Sequence, residues 1–446
     1  MNQTDVPRTP TTRRRVVLTG LAGGALAPAI AACGAAGANT PQAAKQPITL
    51  RFMTQGANPP NEWDSLLAYS RQAPHVTVAL DVAGGGEAFT EKGLSLASAG
   101  SPPHVSWCST RFGIPFLYAN LLSDIQEHVK RAKLDVKDIA KPVYEETLIR
   151  GKLAQLTTDV GYAMLAYNKT ALAQAGRPDP WTLYQNKQWT WDRFVSETQA
   201  ISQAGGGAGN GAYGVVVSTW DGEFFTVVRS NGGDVLDKDQ RKLTLDQPAA
   251  IEALEAWAAL INRQQVAPPV GAAGQVFATG KVPMEFFAQA RIGRTRTSAA
   301  QAGYQWDVVA TPAHKTPVPT MFTNGLQLWK GKDEREAFDF IAYSMSTDVL
   351  LERGKVTGRV PSRLNLLEQF AKTLDIPAQD PKSFVKLYPE LAKTGRGLPS
   401  TANFTVWRDI VQKEILDPVL AGKSGVREAV QRATPLVNAE LAKNPA

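Results

Sequence analysis

Ile48-Thr49-Leu50-Arg51-Phe52-Met53, Val76-Thr77-Val78-Ala79-Leu80-Asp81-Val82 and His104-Val105-Ser106-Trp107 decide the fold. In the first two, apolar and polar residues alternate at the period of a β-strand. The segments between them read as helices. Asn61 can cap one that carries Trp63, Leu66 and Leu67 on one face. Gly84-Gly85-Gly86 forms a turn, and a helix with Phe89, Leu94 and Ala97 follows until Pro102-Pro103 breaks it. Strand, helix, strand, helix, strand is the α/β pattern with parallel strands. Such sheets bind ligands at the carboxyl ends of their strands. Thr54 and Gln55 after the first strand, and Ser109 and Thr110 after the third, are therefore placed to face a ligand.

The same texture continues along the chain. Strands are predicted at 163–167, 215–217, 282–286 and 306–310. Asn168 opens a helix, Thr190 caps one starting at Trp191, and Asn231-Gly232-Gly233 ends another in a left-handed turn. Asp246 is expected to cap a helix over 248–264, whose face carries Ile251, Leu254, Trp257 and Leu260. The tail reads as helices over 334–346, 404–420 and 426–443. A chain of 446 residues suits two large lobes better than one domain. With 43% hydrophobic and 20% charged residues, it can build real cores and is not a disordered chain.

Several function classes drop out. The net charge is +7, but Arg8, Arg13, Arg14 and Arg15 near the start supply much of it, and the remaining basic residues are scattered. That pattern does not suit nucleic acid. The four histidines, His75, His104, His128 and His314, have no metal-ligand spacing, so neither metal nor cofactor is expected. No G-x-S-x-G elbow is present, and Gly280-Lys281-Val282 lacks the rest of a phosphate loop. Gly205 to Gly211 is glycine-rich without dinucleotide spacing. Of two cysteines, Cys108 reads as a buried small hydrophobe with no evident activating group.

The start of the chain reads as an address. Thr12-Arg13-Arg14-Arg15-Val16-Val17 resembles a twin-arginine export signal, with Arg13 and Arg14 as the pair. The weakly apolar stretch 16–32 is too short and glycine-rich to span a membrane. It ends in Ile30-Ala31-Ala32-Cys33, which resembles a lipobox, with Cys33 as the lipidated residue. The other reading is a plain secretory signal cleaved near Ala32, with Cys33 incidental. On the first reading, 1–32 is a signal peptide and 33–46, rich in Ala, Gly, Pro, Thr and Gln, is a flexible tether. The body would then sit outside the cell, anchored by lipid to the outer face of the cytoplasmic membrane.

Five stretches, in order, resemble the extracellular solute-binding proteins of family 1, the maltose-binding-protein-like sugar-binding subunits of ABC importers. Ile48 to Phe52 is similar to the family's opening strand. Leu96-Ala97-Ser98-Ala99-Gly100-Ser101-Pro102-Pro103-His104-Val105 resembles its "ASGxPPDV" passage, with His104 in place of Asp. Gly161 to Lys169 resembles the "YNKD" segment, with Thr170 in place of Asp. Phe277-Ala278-Thr279-Gly280-Lys281-Val282-Pro283-Met284 is similar to "FxxGKxAM", and Gly358-Arg359-Val360-Pro361-Ser362-Arg363 to the "GxxPxR" turn.

The resemblance implies a two-lobe periplasmic-binding-protein fold of type II, with a hinge and an interlobe ligand cleft. It places 47–158 plus 312–357 in an N-terminal lobe and 159–311 plus 358–446 in a C-terminal lobe. The implied function is non-enzymatic: a monomeric receptor captures a solute, closes over it, and hands it to an ABC permease.

A sugar offers hydroxyls and apolar C–H faces, so its site needs aromatics beside Asp, Asn or Arg. Asp159 and Tyr162 stand at the first expected crossing between lobes, and Trp220-Asp221 opens a helix. Phe286-Phe287 follows a strand, and Phe287 is the one expected to face the cleft, since neighbours on a strand point opposite ways. Trp407 lies early in a late helix. Asn324 and Arg359 sit in turns that line the cleft in relatives. Plainer readings stand beside these: Trp220 as sheet packing, Asp221 as a helix cap, Asp159 as a solvated loop residue, Arg359 at a helix end. The solute is expected to be a mono- or oligosaccharide. Glycerol phosphate or a polyamine on the same fold is the alternative, and a secreted glycan hydrolase the remaining one.

Overall fold

The structure, a computed structural model, describes residues 45–443 apart from 57–58, 273–276, 289–290 and 374–380, and apart from the side chains of 293 and 381–384. The strands are β1 Ile48–Thr54, β2 Val76–Val82, β3 Val105–Ser109, β4 Leu148–Ile149, β5 Lys152–Leu153, β6 Leu156–Asn168, β7 Met284–Ala288, β8 Trp306–Ala310 and β9 Met321–Leu328. β1 pairs in parallel with β2 and β3, so that Phe52 lies opposite both Leu80 and Val105. The opening α/β reading holds. Asn61 does not cap the first helix, however. That helix is short, Asp64–Leu67, and begins at Trp63 without a side-chain cap. The entry is fixed instead by the Trp63 indole N–H, which donates to the Gly56 carbonyl at 2.9 Å.

β9, for which no strand was expected, runs antiparallel between β3 and β6 and makes the sheet mixed. β6 has 13 residues, all buried. Its first half pairs with β9, and its second half pairs with β7 and β8, both antiparallel. One strand thus belongs to two parts of the sheet, whose order is β2-β1-β3-β9-β6-β7 with β8 on β6. At the junction the register shifts: Thr157 faces Gly325, but Asp159 faces Asn324. Gly325 is needed there, because a Cβ would stand 2.1 Å from the Leu156 carbonyl oxygen.

The two faces of the sheet are packed differently. On one, a single core runs the full width, from Leu50, Phe52 and Trp63 through Tyr162 and Met164 to Phe287 and Trp306. On the other there are two cores. Met53, Cys108, Phe116 and Trp329 form one. Leu165, Tyr167, Phe224, Trp257, Phe286 and Trp407 belong to the second. The period of two along β6 and β7 makes this division, sending Tyr162, Met164 and Phe287 one way and Leu165, Tyr167 and Phe286 the other. The shared core explains why residues 46–446 hold together as one unit by their contacts.

Other local expectations divide by their chemistry. Asn168 and Thr190 do cap helices, accepting from the N–H groups of Ala171 and Arg193. Asp246 does not: Gln247 is the N-cap of the helix Pro248–Asn262, and its Pro start leaves one donor fewer to satisfy. Residues 215–217 are not a strand, since Val216 makes only an isolated bridge to Glu285. The expected helix over 404–420 is interrupted by a π-turn, Gln412–Leu416.

Candidate functional site

A groove opens on the face where the two cores are separate. One wall is the loop after β2 and the helix Thr110–Tyr118, which starts at the end of β3. The other wall is the start of the helix Asp221–Ser230 together with the helix Phe404–Val411. Gly85, Gly86, Arg111, Phe112, Asp221, Phe404 and Arg408 line a cavity of about 440 Å³ between them. An adjoining cavity of about 500 Å³ continues past Thr90, Pro115, Val406 and Lys413. Both lie within the size range of ordinary small-molecule sites.

Asp221 is the polar centre of the groove. Its Oδ2 accepts from Arg111 Nη1 at 2.7 Å across the groove, and its Oδ1 accepts from Arg408 Nε at 2.6 Å. Arg408 is held in turn by the Thr219 carbonyl at 2.7 Å and by Gln412 at 3.1 Å. The Arg111 guanidinium lies 4.4 Å from the Phe112 ring centroid and 5.9 Å from that of Phe404. Asp221 caps nothing with its side chain, so the capping reading is corrected. Glu223 does the local bonding instead: it accepts from Ser218 N–H and Oγ at 3.0 and 2.9 Å, and from Trp257 Nε1 at 2.7 Å. Burial pushes its carboxyl up to about 8.

Trp220, next in line, is half-buried and stacks on Phe322 of β9 at 5.4 Å between centroids and 17° between planes. The Arg291 guanidinium lies 5.7 Å from the Trp220 ring and is paired with Glu285 at 2.5 Å. Trp220 therefore bridges the two halves of the sheet rather than filling either core.

The other expected contacts are placed elsewhere. Thr54 is fully buried and bonds its own loop at the Gly56 carbonyl, 3.0 Å away. Gln55 is spent on the Ser109 N–H at 2.9 Å, tying the ends of β1 and β3 together. Tyr162 and Phe287 lie on the continuous-core face, away from the groove, against Tyr388 and Trp306. Trp407 is fully buried, and its indole N–H donates to Thr401 at 2.8 Å. Phe404, one turn earlier, is the ring that reaches the groove.

Asp159, Asn324 and Arg359 are brought together, but with one another. Asp159 accepts from Asn324 Nδ2 at 2.7 Å and from Arg353 Nη1 at 2.8 Å. Glu62 accepts from Arg353 Nη2 at 2.9 Å and from Arg359 Nη1 at 2.5 Å. Trp63 and Trp107 flank the Arg353 guanidinium at 4.6 and 4.5 Å. Two carboxylates and two guanidinium groups thus balance inside the junction. Burial lowers the Arg359 guanidinium from its ordinary value.

The sequence reading missed Arg111, Phe112, Phe404 and Arg408. For the first pair a signal existed, since they directly follow Ser109 and Thr110. For the second pair helical position alone gave none. Cys108 is buried and unpaired, 3.5 Å from Gln327 Oε1, and burial raises its thiol far above the usual range. Among the described residues, no group of three or more His, Cys, Asp or Glu could hold a metal ion. Cys33, Arg13 and Arg14 lie outside the described residues.

Two α/β lobes sharing a crossing strand, with a groove between their separate cores, define a two-lobe binding protein. The chain matches the family model of bacterial extracellular solute-binding proteins over residues 17–349, and it belongs to that family. No curated protein matches it. Among solved structures it is similar to the sugar-binding protein MalE of Xanthomonas citri, with 18% identity, 89% of this chain and 98% of that one covered, and a TM-score of 0.74. It is similar to an ABC substrate-binding protein of Listeria monocytogenes in complex with cycloalternan, with 20% identity, coverages of 89% and 99%, and a TM-score of 0.73. UgpB of Mycobacterium tuberculosis in complex with glycerophosphocholine matches at 19% identity, coverages of 90% and 99%, and a TM-score of 0.73. At these identities the likeness carries the fold.

Proposed function

We propose that the chain is the exported substrate-binding subunit of an ABC importer, and that it captures a neutral mono- or oligosaccharide by lobe closure for delivery to a membrane permease. One observation carries the sugar reading: the charges of the groove are satisfied internally, while aromatic rings stand beside them. Asp221 neutralises one of its two arginine partners, and Asp409 and Glu87 add negative charge to the same cavity. Arg291 and Arg359, which would favour an anionic solute if free, are paired with Glu285 and Glu62. Phe112 and Phe404 supply surfaces for C–H faces, and Asp221 and the arginines supply partners for hydroxyls. The sugar-binding protein MalE and the cycloalternan complex among similar folds agree with this reading, and the glycerophosphocholine complex marks the alternative.

The lobes are assigned as 47–158 plus 312–357 and 159–311 plus 358–446, which puts the junction in β6. The body acts as a monomer, without catalysis or cofactor. Residues 1–32 export it by the Arg13-Arg14 pair, Cys33 carries the lipid, and 33–46 tethers it to the membrane.

Isothermal titration of the soluble body against mono- and oligosaccharides, glycerophosphodiesters and polyamines tests the solute. At least one sugar is expected to bind, and Asp221→Asn is expected to weaken it at least about tenfold, the value of one lost charge-assisted bond. Binding of a glycerophosphodiester or polyamine with no sugar response refutes the sugar reading. Turnover of a chromogenic glycoside refutes the non-enzymatic one. Fatty-acid labelling that persists in Cys33→Ala refutes the anchor.

A further inference from the structure

The groove changes character along its length. At one end Asp221, Arg408 and Gln412 line the cavity of about 440 Å³. At the other, Pro115, Ala402, Val406 and Ile410 line the cavity of about 500 Å³. The two are continuous, since Arg111, Phe112, Phe404 and Thr405 belong to both. Val406 is 51% exposed, and it is one of four large apolar side chains left this open among the described residues. An open apolar surface inside a concavity is the mark of a ligand groove. The polar side chains beside this second cavity are already engaged. Thr90 Oγ1 donates to the Phe112 carbonyl at 2.8 Å, and Asn403 Nδ2 donates to the Glu440 carbonyl at 2.7 Å. Arg111 is held by Asp221 at 2.7 Å. The remaining charged groups, Glu87, Glu91, Asp409 and Lys413, are all exposed.

We propose that this second cavity is a subsite for an uncharged apolar substituent on the sugar, so that the solute is a glycoside with an aryl or short alkyl aglycone. The sugar ring takes the polar end, where Asp221 and Arg408 meet its hydroxyls, and the aglycone lies past Arg111 between Phe112, Pro115, Val406 and Ile410. A second sugar ring fits this end poorly. It would turn hydroxyls toward walls whose donors Thr90, Asn403 and Arg111 are engaged, and a hydroxyl taken from water without a partner costs free energy. An apolar group has no such cost there and gains from burial. Charge restricts it further: Glu87, Glu91 and Asp409 outnumber Lys413, which turns away a carboxylate or sulfate on the aglycone. The inference rests on the sugar reading for the polar end of the groove and on the apolar lining alone for the other, and its test treats the two ends separately.

The experiment uses residues 46–446, which hold together as one unit, as wild type, Val406→Asp and Leu436→Asp. Leu436 is 48% exposed on the helix Val426–Leu441, outside both cavities, and serves as the control. The first arm titrates the neutral fluorescent probe N-phenyl-1-naphthylamine with no sugar present. Wild type and Leu436→Asp should bind it saturably, and Val406→Asp should bind at least about tenfold more weakly, the effect of placing a charge against an apolar ligand. Val406→Asp should keep the wild-type Tm, because the side chain it replaces is mostly solvent-exposed. The second arm compares 4-nitrophenyl, methyl and disaccharide forms of common hexoses by calorimetry. For the sugar that binds, the 4-nitrophenyl glycoside should be at least about tenfold tighter than the methyl glycoside, displace the probe, and lose its advantage in Val406→Asp. Absence of saturable probe binding, probe binding that persists in Val406→Asp, or a methyl glycoside or disaccharide as tight as the aryl glycoside overturns the proposal. Probe binding that Val406→Asp abolishes, with no glycoside of any kind bound, leaves the apolar subsite standing while the sugar reading fails.

Discussion

Arg353→Met is the substitution that separates a structural junction from a solute site. Arg353 is 4% exposed and gives two charge-assisted bonds, to Asp159 at 2.8 Å and Glu62 at 2.9 Å, between two indole rings. Methionine keeps most of the volume between Trp63 and Trp107 and removes the charge. Glu62 and Asp159 are 1% and 3% exposed at their side chains, so each would be left with one fewer partner and no water to replace it. Breaking a buried pair in this way costs about 3–5 kcal/mol. For a body of roughly 400 residues unfolding as a unit, at about 2.1 cal/mol/K per residue, that lowers Tm by about 4–6 °C. Arg359 is 21% exposed at its side chain and shares only Glu62, so Arg359→Met should cost less, about 1–2 kcal/mol. Differential scanning calorimetry beside solute titration gives both readouts. Solute affinity should change less than about threefold in Arg359→Met, well under the tenfold expected for losing a direct bond. Unchanged Tm with a collapse in affinity would make the junction the binding site and refute the assignment of the groove.

Three other outcomes follow from burial. Trp407→Ala should lose about 3–5 kcal/mol of stability by cavity formation, whereas Phe404→Ala should lose less and weaken solute binding, as read by unfolding and titration in parallel. His314 is stacked on Trp191 at 4.3 Å, and burial pushes its imidazole down to about 4. Its folded value lies below its unfolded 6.5, so the stability it contributes is present above 6.5 and is lost as pH falls through 4. Because the ring keeps some exposure, that loss is about 1–2 kcal/mol, and it should vanish in His314→Gln followed by acid unfolding. Cys108 should resist alkylation in the native protein and react once it is denatured. Rapid native labelling would show that β3 opens easily.

Much of the fold was legible because its signals are local. The alternation in 48–53 and 76–82 needs only the period of a strand, and Asn168 and Thr190 announce helices through bonds to N–H groups two or three residues away. β9 escaped notice because Met321 to Leu328 mixes apolar and polar residues without alternation, and its second half, 325–328, is buried on both faces. Asp246 failed as a cap because several residues before Pro248 could do that work, and the choice depends on what packs beyond them.

Among the candidate residues, sequence could name the chemistry but not its partners. That Trp220-Asp221 opens a helix was readable. That Arg111 and Arg408, nearly 300 positions apart, would meet on Asp221 was not, since only the pairing of β6 with both β7 and β9 brings their helices together. Asp159 was expected at a crossing and Asn324 and Arg359 in cleft-lining turns, but Asn324 lies within β9 and all three belong to one buried polar cluster. Yet whether such residues face a ligand or one another is decided by Arg353, which has no distinguishing signal in its own helix. The sequence by itself determined the α/β alternation and the resemblance to the family, because these are written in neighbouring residues. Only the tertiary structure decided which face of the sheet is continuous, and hence that Tyr162 and Phe287 are core while Arg111 and Phe404 line the groove. A side chain's outlook depends on what covers the sheet, and the covering elements come from distant parts of the chain.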